Sequence, residues 1–560
     1  IQRAYLDTLD DLQLWDKQTA RLEAIKRKEC NTDQQIVLLG TVDMNRTARQ
    51  MLDLVGDAVT ALIVAPSEMA KRFDTHGCVI PSQWSDVMIP MDDHDVVLAD
   101  DPADQVDEAA RALVTCSAYR PDQITIGVCD DGLVPQIVRQ FEQCELNARW
   151  GPGRPITESP PYRLLRAVAE YLERPRTREF AALVRHVDVE AWLNQREEMQ
   201  SLEFPDWLTA LDNYQARHVP VRLGDIWLGE GDERHKEEVA AVQALFAAVA
   251  GQLQPLVQAQ LPLAKWPPMV TSFLLEIYGR REFNPQDEGD RFALAALESL
   301  HGALLNQRGI AEPLAPKVSA ADAITWALDA IAGETVSAPA DPGAIEILGW
   351  LELPLDDAPV LVVTGLNEGH VPKSSTGDMF LPDSLRTRLG LEDNARRYAR
   401  DAYALSVLVA SRKLRIVVGR RDADDNPLAP SRLLFACDDE SLVARAKAFF
   451  TPPPALAAKR PLVDKSVAPR VKATFEVPRP QPLVAPIEKL RVTAFRDYLA
   501  CPYRFYLKQV MRLEATDDAT EELDGGAFGG LAHRVLDAFG RDECRRYRNV
   551  AGGSAAAIHF

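Results

Sequence analysis

The residues with the clearest chemical potential lie in residues 491–512, which read R-V-T-A-F-R-D-Y-L-A-C-P-Y-R-F-Y-L-K-Q-V-M-R. This segment holds five basic residues against one acid, interleaved with aromatic side chains. Basic groups bind phosphates and aromatic rings stack on bases, so the combination is typical of a nucleic-acid-binding surface. Cys501-Pro502 predicts a break between two helices, because proline is tolerated in the first turn of a helix but not inside one. An ordinary helical pair with a solvated basic face would give the same pattern. The candidate DNA contacts here are Arg496, Arg504 and Lys508.

A second candidate is His533, which lies in the sequence F-G-G-L-A-H-R-V-L-D-A-F. Asp537 follows it by one helical turn, and Leu531, Val535 and Phe539 recur at a spacing that predicts a buried stripe. Metal-dependent hydrolysis of a phosphodiester requires carboxylates to hold Mg²⁺ and a lysine to position or activate the water. A histidine without such neighbours is more often a packed or surface residue than a ligand.

The sequence T-A-F-R-D-Y-L-A-C-P-Y-R-F-Y-L-K, followed by G-x-x-x-H, resembles the start of a PD-(D/E)XK nuclease domain. It is most similar to the form found in AddB-like helicase–nuclease subunits, which resect DNA ends in break repair. The resemblance implies that Cys501 is the first thiolate of an iron–sulfur cluster and that His533 lies at a Mg²⁺-dependent catalytic site. It also implies a downstream Asp and Glu-x-Lys, and no Glu-x-Lys occurs among the 27 residues after His533. We therefore expect a truncated nuclease with little or no activity, in which Cys501 is a free buried thiol.

A third motif, residues 349–372, reads G-W-L-E-L-P-L-D-D-A-P-V-L-V-V-T-G-L-N-E-G-H-V-P. Together with the later sequence A-S-R-K, it resembles the second motor domain of superfamily 1 helicases in its degenerate AddB-like form. The resemblance implies that Arg412 contacts ATP, and a planar guanidinium suits a γ-phosphate. Arg412 would equally serve as a cation at a helix C-terminus. No G-x-x-x-x-G-K-[ST] loop is present, so the chain as given lacks the phosphate cradle of an ATP-driven motor.

Residues 386–421 contain ten Lys or Arg against three acids, although the whole chain has a net charge of −20. This local excess predicts a phosphate-contacting face on a basic helix at roughly residues 394–411, with Arg396, Arg397 and Arg400 as candidate DNA contacts. The alternative is a helix whose arginines pair with acids elsewhere. Both interpretations stay open at the level of sequence.

Composition limits the class of protein. Eight cysteines occur without a single C-x-x-C, which argues against a zinc ribbon or a secreted disulfide framework and favours a reducing compartment. No apolar run reaches the length of a membrane span, and no signal peptide opens the chain. We expect a cytoplasmic protein without membrane contact.

The elements that would position these residues are short apolar runs separated by helical patterns, which predict an α/β fold with a parallel sheet. The predicted strands are at 35–40, 58–66, 124–128, 345–348, 360–365 and 414–419. The block between them has helical periodicity, with four tryptophans as predicted core anchors: Trp192, Trp207, Trp227 and Trp266. Residues 452–486 hold nine of the 38 prolines and predict a semi-rigid linker.

The predicted organisation has five parts, in which the two α/β regions are the RecA-like parts of a degenerate superfamily 1 helicase. They are a partial helicase-like α/β region (1–160), a helical insertion (161–335), a second helicase-like α/β region (336–445), a Pro-rich linker (446–489) and the first part of a nuclease domain (490–560). The expected function is that of a DNA double-strand-break repair subunit, which binds DNA ends or single strands together with a helicase–nuclease partner subunit. The alternative is a non-catalytic scaffold that binds DNA or a partner.

Overall fold

The computed structural model describes residues 2–116, 118–202, 204, 206–229, 233–257, 260–310, 315–374, 378–451, 479, 480, 487, 490, 492–511, 513 and 525–550. Two units are distinguished. The α/β unit comprises Ile1–Arg154 and Ser337–Ala473, and the helical unit comprises Pro155–Val336 and Thr474–Phe560. Most of the predicted Pro-rich linker, 446–489, lies outside the described residues.

The first segment of the chain alternates helices with short strands. Its elements are α1 (Gln2–Asp11), α2 (Lys17–Arg27), β1 (Ile36–Leu39), α3 (Arg46–Asp53), β2 (Val59–Leu62), β3 (Val96–Ala99), α4 (Pro102–Val114), β4 (Ile124–Val128), α5 (Val134–Gln143) and β5 (Asn147–Trp150).

The next segment is almost entirely helical. Its elements are β6 (Arg154–Pro155), α6 (Pro160–Glu173), α7 (Thr177–Val184), α8 (Val187–Asn194), α9 (Glu197–Gln200), α10 (Trp207–His218), α11 (Lys236–Leu253), β7 (Leu261–Pro262), α12 (Trp266–Tyr278), α13 (Glu288–Arg308), β8 (Lys317–Val318), α14 (Ala320–Ile331) and β9 (Thr335–Val336).

Strands return in the third segment, and helices follow it. The elements are β10 (Ala344–Gly349), β11 (Val360–Thr364), α15 (Asp383–Leu389), α16 (Asn394–Ser411), β12 (Lys413–Gly419), α17 (Asp439–Phe450), α18 (Val492–Ala500), α19 (Pro502–Phe505), a π-helical turn (Tyr506–Val510) and α20 (Gly525–Val550).

The main sheet has six parallel strands in the order β3-β12-β11-β4-β10-β5. The predicted parallel sheet is therefore confirmed. Three strands of the first segment and three of the third are interleaved in this order, so the regions predicted at 1–160 and 336–445 contribute to one sheet. The helical block is inserted between β5 and β10 of that sheet.

Helices cover both faces of this sheet, as a continuous apolar strand requires. In β11, Val360 and Val362 join the core formed with α4 and α5. The alternate residues Leu361 and Val363 join the opposite core, to which α16 contributes Leu405. Every residue of β11 is buried, so its five side chains are fixed between two helical layers.

The first two strands form a separate pair, β1 beside β2 in parallel. The sequence predicts both as buried strands, and the structure differs on one face. Val37 and Leu39 of β1 are 58% and 64% exposed, and Leu62 of β2 is also exposed. The two strands alternate between half-buried and exposed residues because, among the described residues, other elements pack on only one face of the pair.

The helical unit has its own core, which includes three of the four tryptophans predicted as anchors. Trp192, Trp207 and Trp266 are buried, and Trp227 packs against the same core while partly exposed. The indole Nε1 of Trp266 donates a hydrogen bond to the carbonyl oxygen of Val318 at 3.0 Å. This bond satisfies the one polar group of a fully buried side chain.

Helix α11 is the exception to the predicted absence of membrane-length segments. Residues Lys236–Leu256 are long and apolar enough, by length and composition, to cross a membrane. One face of the helix, including Val242, Leu245 and Val249, is buried in the helical core. Glu238 in its first turn pairs with Arg217 of α10 at 2.9 Å. The helix therefore packs as a core element of this unit.

Candidate nucleic-acid interface

The basic–aromatic segment folds as two short helices and a π-helical turn. Helix α18 ends at Ala500, and Cys501 has extended backbone angles (φ −164°, ψ 116°) before Pro502 begins α19. Proline suits the first turn of a helix because its missing N–H has no partner to lose there. The predicted break at Cys501-Pro502 is confirmed, and it separates the basic residues of α18 from those of α19.

The candidate DNA contacts in this segment differ in their availability. Arg496 and Arg504 are exposed, and among the described residues no acid forms an ion pair with either guanidinium. Lys508 is about half exposed and lies 3.4 Å from a carboxylate oxygen of Asp497. The two guanidinium groups therefore have no ion-pair partner to lose among the described residues, although the charge of Arg504 also helps to lower the pKa of Asp497, and the lysine is shared with that acid.

Asp497 is buried, and its carboxylate contacts two other residues of this segment. Its Oδ2 accepts a hydrogen bond from Nε2 of Gln509 at 3.2 Å, in addition to the contact with Lys508. Burial acts to raise the pKa of Asp497, but the hydrogen bonds from Gln509 and Lys508 leave that pKa below its ordinary value. The carboxylate thus stays ionised and joins α18 to the π-helical turn. The sequence signal for this role is that Asp497 is the single acid of the segment.

The segment that carries the two arginines also carries aromatic rings. Phe495 is 58% exposed and Tyr498 is 52% exposed. The ring of Tyr498 contacts that of Phe505 edge-on at 5.5 Å between centroids, and Tyr503 stacks on Tyr506 at 6.3 Å. Exposed rings next to guanidinium groups provide stacking surfaces for unpaired bases.

Among the described residues, no set of possible metal ligands surrounds the predicted catalytic and metal-binding residues. His533 is exposed on α20, and Asp537 forms an ion pair with Arg541 at 2.8 Å. Cys501 is a free thiol, and the prediction that it is buried is wrong because its side chain is exposed. Across the described part of the chain, no group of three or more His, Cys, Asp or Glu residues could hold a metal ion. Among the described residues, His533 and Cys501 are thus not part of a ligand cluster for Mg²⁺ or for an iron–sulfur cluster.

The stripe predicted to be buried on α20 is exposed. Leu531 is 41% exposed, Val535 58% and Phe539 65%. These residues do lie at helical spacing on one helix, as predicted. The periodicity identified the helix correctly, but it does not specify whether another element covers the stripe.

The three arginines predicted as DNA contacts on α16 are engaged within the α/β unit. Arg396 pairs with Asp43 and also donates to the carbonyl oxygen of Met44. The other two pairings share one acid: Arg397 lies 3.1 Å from Glu392, and Arg400 lies 3.0 Å from the same carboxylate. All three side chains are 15–19% exposed. The alternative left open by the sequence, pairing with acids, is the arrangement that the structure has.

Asp401 extends this network into the core. It is 1% exposed, and its Oδ1 accepts hydrogen bonds from Nε of Arg400 at 3.0 Å and Nε1 of Trp350 at 3.2 Å. Burial raises the pKa of Asp401, and the bonds from Arg400 and Trp350 oppose that rise. The network joins α16 to the segment after β10.

Arg412, the predicted nucleotide contact, is also engaged. Its Nη1 lies 2.5 Å from Oδ2 of Asp356, and its Nη2 donates to the carbonyl oxygen of Leu353 at 2.8 Å. Only 4% of the side chain is exposed. It lies at the start of β12, whereas ligands of open α/β sheets bind beyond the carboxyl ends of the strands. A guanidinium bound in this way has no free donor face for a phosphate.

Comparison with known families gives one match. The family model of the PD-(D/E)XK nuclease superfamily matches residues 489–557, which include α18, α19 and α20. No curated protein matches the chain. The match and the exposed basic–aromatic surface coincide in one stretch of sequence. Residues 489–557 are thus similar to a PD-(D/E)XK nuclease domain, which supports a nuclease-related function for this part of the chain.

Proposed function

We propose that this protein binds DNA ends or single strands as a subunit of a helicase–nuclease assembly of the AddB-like kind, in double-strand-break repair. The observation that carries the proposal is that one segment holds two exposed guanidinium groups outside any ion pair among the described residues, Arg496 and Arg504, together with exposed Phe495 and Tyr498. Such a surface binds a backbone through charge and bases through stacking, without strong sequence preference. Its position inside the nuclease-superfamily match adds to the proposal.

The net charge of −20 limits where on this protein DNA can bind. A strongly acidic molecule repels nucleic acid over most of its surface, so binding depends on local basic groups that are not neutralised by their neighbours. On α16 the arginines are paired, whereas Arg496 and Arg504 remain unpaired among the described residues. The proposed DNA contacts are therefore concentrated at residues 495–508.

Nucleases of this superfamily generally use Mg²⁺, and the described residues do not form that site. We therefore derive no step of hydrolysis from this structure. A scaffold subunit that holds DNA for a catalytic partner is the second candidate function, and it is favoured by the same absence of a ligand cluster among the described residues. Both candidates share the DNA-binding surface, a cytoplasmic location and a partner subunit.

The test is fluorescence anisotropy with a labelled single strand of about 12 nucleotides, a length within the range that such surfaces cover. The double variant Arg496→Ala/Arg504→Ala should bind at least about tenfold more weakly, because each guanidinium supplies a charge-assisted contact. The matched control is Arg139→Ala/Arg178→Ala, which removes two exposed arginines of α5 and α7. Equal affinities of the two double variants would contradict the proposal.

Cleavage of the same strand with Mg²⁺ separates the two candidates. Cleavage that disappears in His533→Ala favours a working nuclease. Binding without cleavage by the purified chain favours the scaffold. Neither result depends on the identity of the partner subunit.

A further inference from the structure

His186 and Asp188 stand at the start of helix α8 in the helical unit, and their side chains connect this helix to three others. His186 is the N-cap of α8, and 11% of its side chain is exposed. Asp188, in the first turn of the same helix, is also buried. Two titratable groups therefore lie together inside the unit, apart from the surface at residues 495–508.

The hydrogen bonds of His186 require a neutral imidazole with its proton on Nε2. This nitrogen lies 3.0 Å from the carbonyl oxygen of Pro160, the first residue of α6, and a carbonyl oxygen only accepts. The other nitrogen, Nδ1, accepts from the backbone N–H of Asp188 at 3.3 Å, which caps α8. A protonated imidazole carries an N–H on both nitrogens, so it can no longer accept this bond.

Asp188 connects α8 to the ends of two other helices. Its Oδ2 accepts a hydrogen bond from the hydroxyl of Tyr278, the last residue of α12, at 2.7 Å. Its Oδ1 accepts from Nη1 of Arg281 at 2.7 Å, and Nη2 of Arg281 donates to Asp290 in the first turn of α13 at 2.6 Å. The same Oδ2 lies 3.9 Å from Nδ1 of His186, which is within ion-pair distance of a protonated ring.

The surroundings of His186 favour its neutral form. Burial is the largest cause and lowers the pKa of His186, the charge of Asp188 and the hydrogen bond at Nε2 oppose it, and Arg163 of α6 lowers the pKa further. On α7, the neighbouring Arg185 is paired with Asp212. Because the pKa is lowered in the folded unit, the stability that His186 contributes is present above the ordinary histidine pKa of about 6.5 and is lost as the pH falls below it.

We propose that His186 and Asp188 form a pH-sensitive switch, in which protonation of His186 releases the N-terminus of α8 and draws Asp188 away from α12. A proton taken up from solvent on Nδ1 removes the cap of α8. The resulting ion pair competes with the hydroxyl of Tyr278 for the same oxygen of Asp188. The junction of α6, α8, α12 and α13 is thus closed at neutral pH and loosens in mild acid. This regulation does not rest on the proposed DNA binding.

Hydrogen exchange of the full chain, followed by mass spectrometry and corrected for the intrinsic effect of pH, tests the switch between about pH 8 and about pH 5. Peptides from α8 should exchange about fivefold faster at the lower pH, because loss of an N-cap shifts an opening equilibrium by about that factor. Helix α14 is the internal reference, since the hydroxyl of Ser319 caps it and does not titrate in this range. A constant ratio of exchange in α8 to exchange in α14 would overturn the proposal, and this measurement needs no substitution.

Two variants assign the effect to His186. His186→Asn keeps a side chain that is favoured at N-caps and does not titrate, so exchange in α8 should change less than about twofold over the same pH range. The matched control is His301→Asn, which removes an exposed histidine of α13 in the same unit. This control should keep the acceleration of the unmodified protein. Acceleration that persists in His186→Asn, or that disappears in His301→Asn, would contradict the assignment to His186.

Discussion

Helix α16 and the α18–α19 segment are both rich in arginine, and the sequence predicts both as DNA-contacting surfaces. In the structure, the arginines of the two regions differ in exposure and in ion pairing. On α16, Arg396, Arg397 and Arg400 are 15–19% exposed and bound to acids. On α18 and α19, Arg496 and Arg504 are exposed and have no acid partner among the described residues.

The difference follows from where each helix lies. Helix α16 packs on the main sheet, so its flanking arginines lie near acids from three parts of one unit: Asp43, Glu392 and Asp401. A charge that loses water in this way is stable only when paired and hydrogen-bonded. In the α18–α19 segment, the single acid, Asp497, is used by Lys508 and Gln509. A local count of charges therefore does not indicate whether a guanidinium is available to a ligand.

The largest effect should come from removing the buried acid of the α16 network. Asp401→Ala leaves the Trp350 indole without its acceptor in the core and removes one of the two carboxylates bound to Arg400, which keeps its bond to Glu392. Breaking a buried pair on one side costs about 3–5 kcal/mol, and because Arg400 keeps one partner the free energy of unfolding should fall by about 3 kcal/mol, the low end of that range. Urea denaturation followed by circular dichroism measures it.

The matched control for that measurement is Asp122→Ala, which breaks the exposed pair with Arg120. Its unfolding midpoint should barely change, because pairs in water contribute little. Equal stability of Asp401→Ala and Asp122→Ala would show that the α16 network does not stabilise the α/β unit. Arg396, Arg397 and Arg400 would then again be candidate DNA contacts.

The second effect in size concerns Arg496→Ala/Arg504→Ala. Beyond weaker binding to a single strand, the variant should lower the slope of log affinity against log salt by roughly 1.4, since each phosphate contact on a single strand contributes about 0.7. Thermal unfolding should be unchanged because neither side chain is buried. A titration over about 50–200 mM salt gives the slope, and an unchanged slope would show that these arginines do not contact phosphates.

A smaller effect is expected from the exposed ring beside Arg496. Phe495→Ala should weaken binding to a single strand by about 1 kcal/mol, the low end of the range for stacking of one base on one ring. Phe380→Ala is the control, because Phe380 is 91% exposed in the α/β unit. Affinity lost equally in both variants would point to a general loss of apolar surface instead of stacking.

Much of the secondary structure could be predicted from the sequence, but the ion pairs between side chains could not. Periodicity predicts α16 at 394–411 and β4 at 124–128 with the bounds observed. The strands β3 and β5 were not predicted, because both are four residues long and form the two edges of the sheet. Short edge strands carry little of the apolar pattern that identifies a central strand.

The site residues were harder to predict for a related reason. Arg396 is separated from its partner Asp43 by 353 positions, and Arg412 from Asp356 by 56. No local pattern links such residues until the sheet brings them together. The Arg-rich helix and the break at Cys501-Pro502 were predictable from neighbours alone, whereas the availability of each guanidinium depends on distant acids.

The smallest effect is expected for Arg397→Ala, which tests most directly whether an arginine paired within the protein contributes to DNA binding. In Arg397→Ala, Glu392 keeps its bond to Arg400, so the free energy of unfolding should fall by only about 1 kcal/mol or less. Affinity for a single strand should stay within about twofold of the unmodified protein, because the guanidinium of Arg397 is already bound to an acid. Arg496→Ala serves as the matched single substitution, measured by anisotropy at the same salt concentration. If Arg397→Ala weakened binding as much as Arg496→Ala, then the ion pair with Glu392 would have to open for DNA, and pairing within the protein would no longer distinguish the two surfaces.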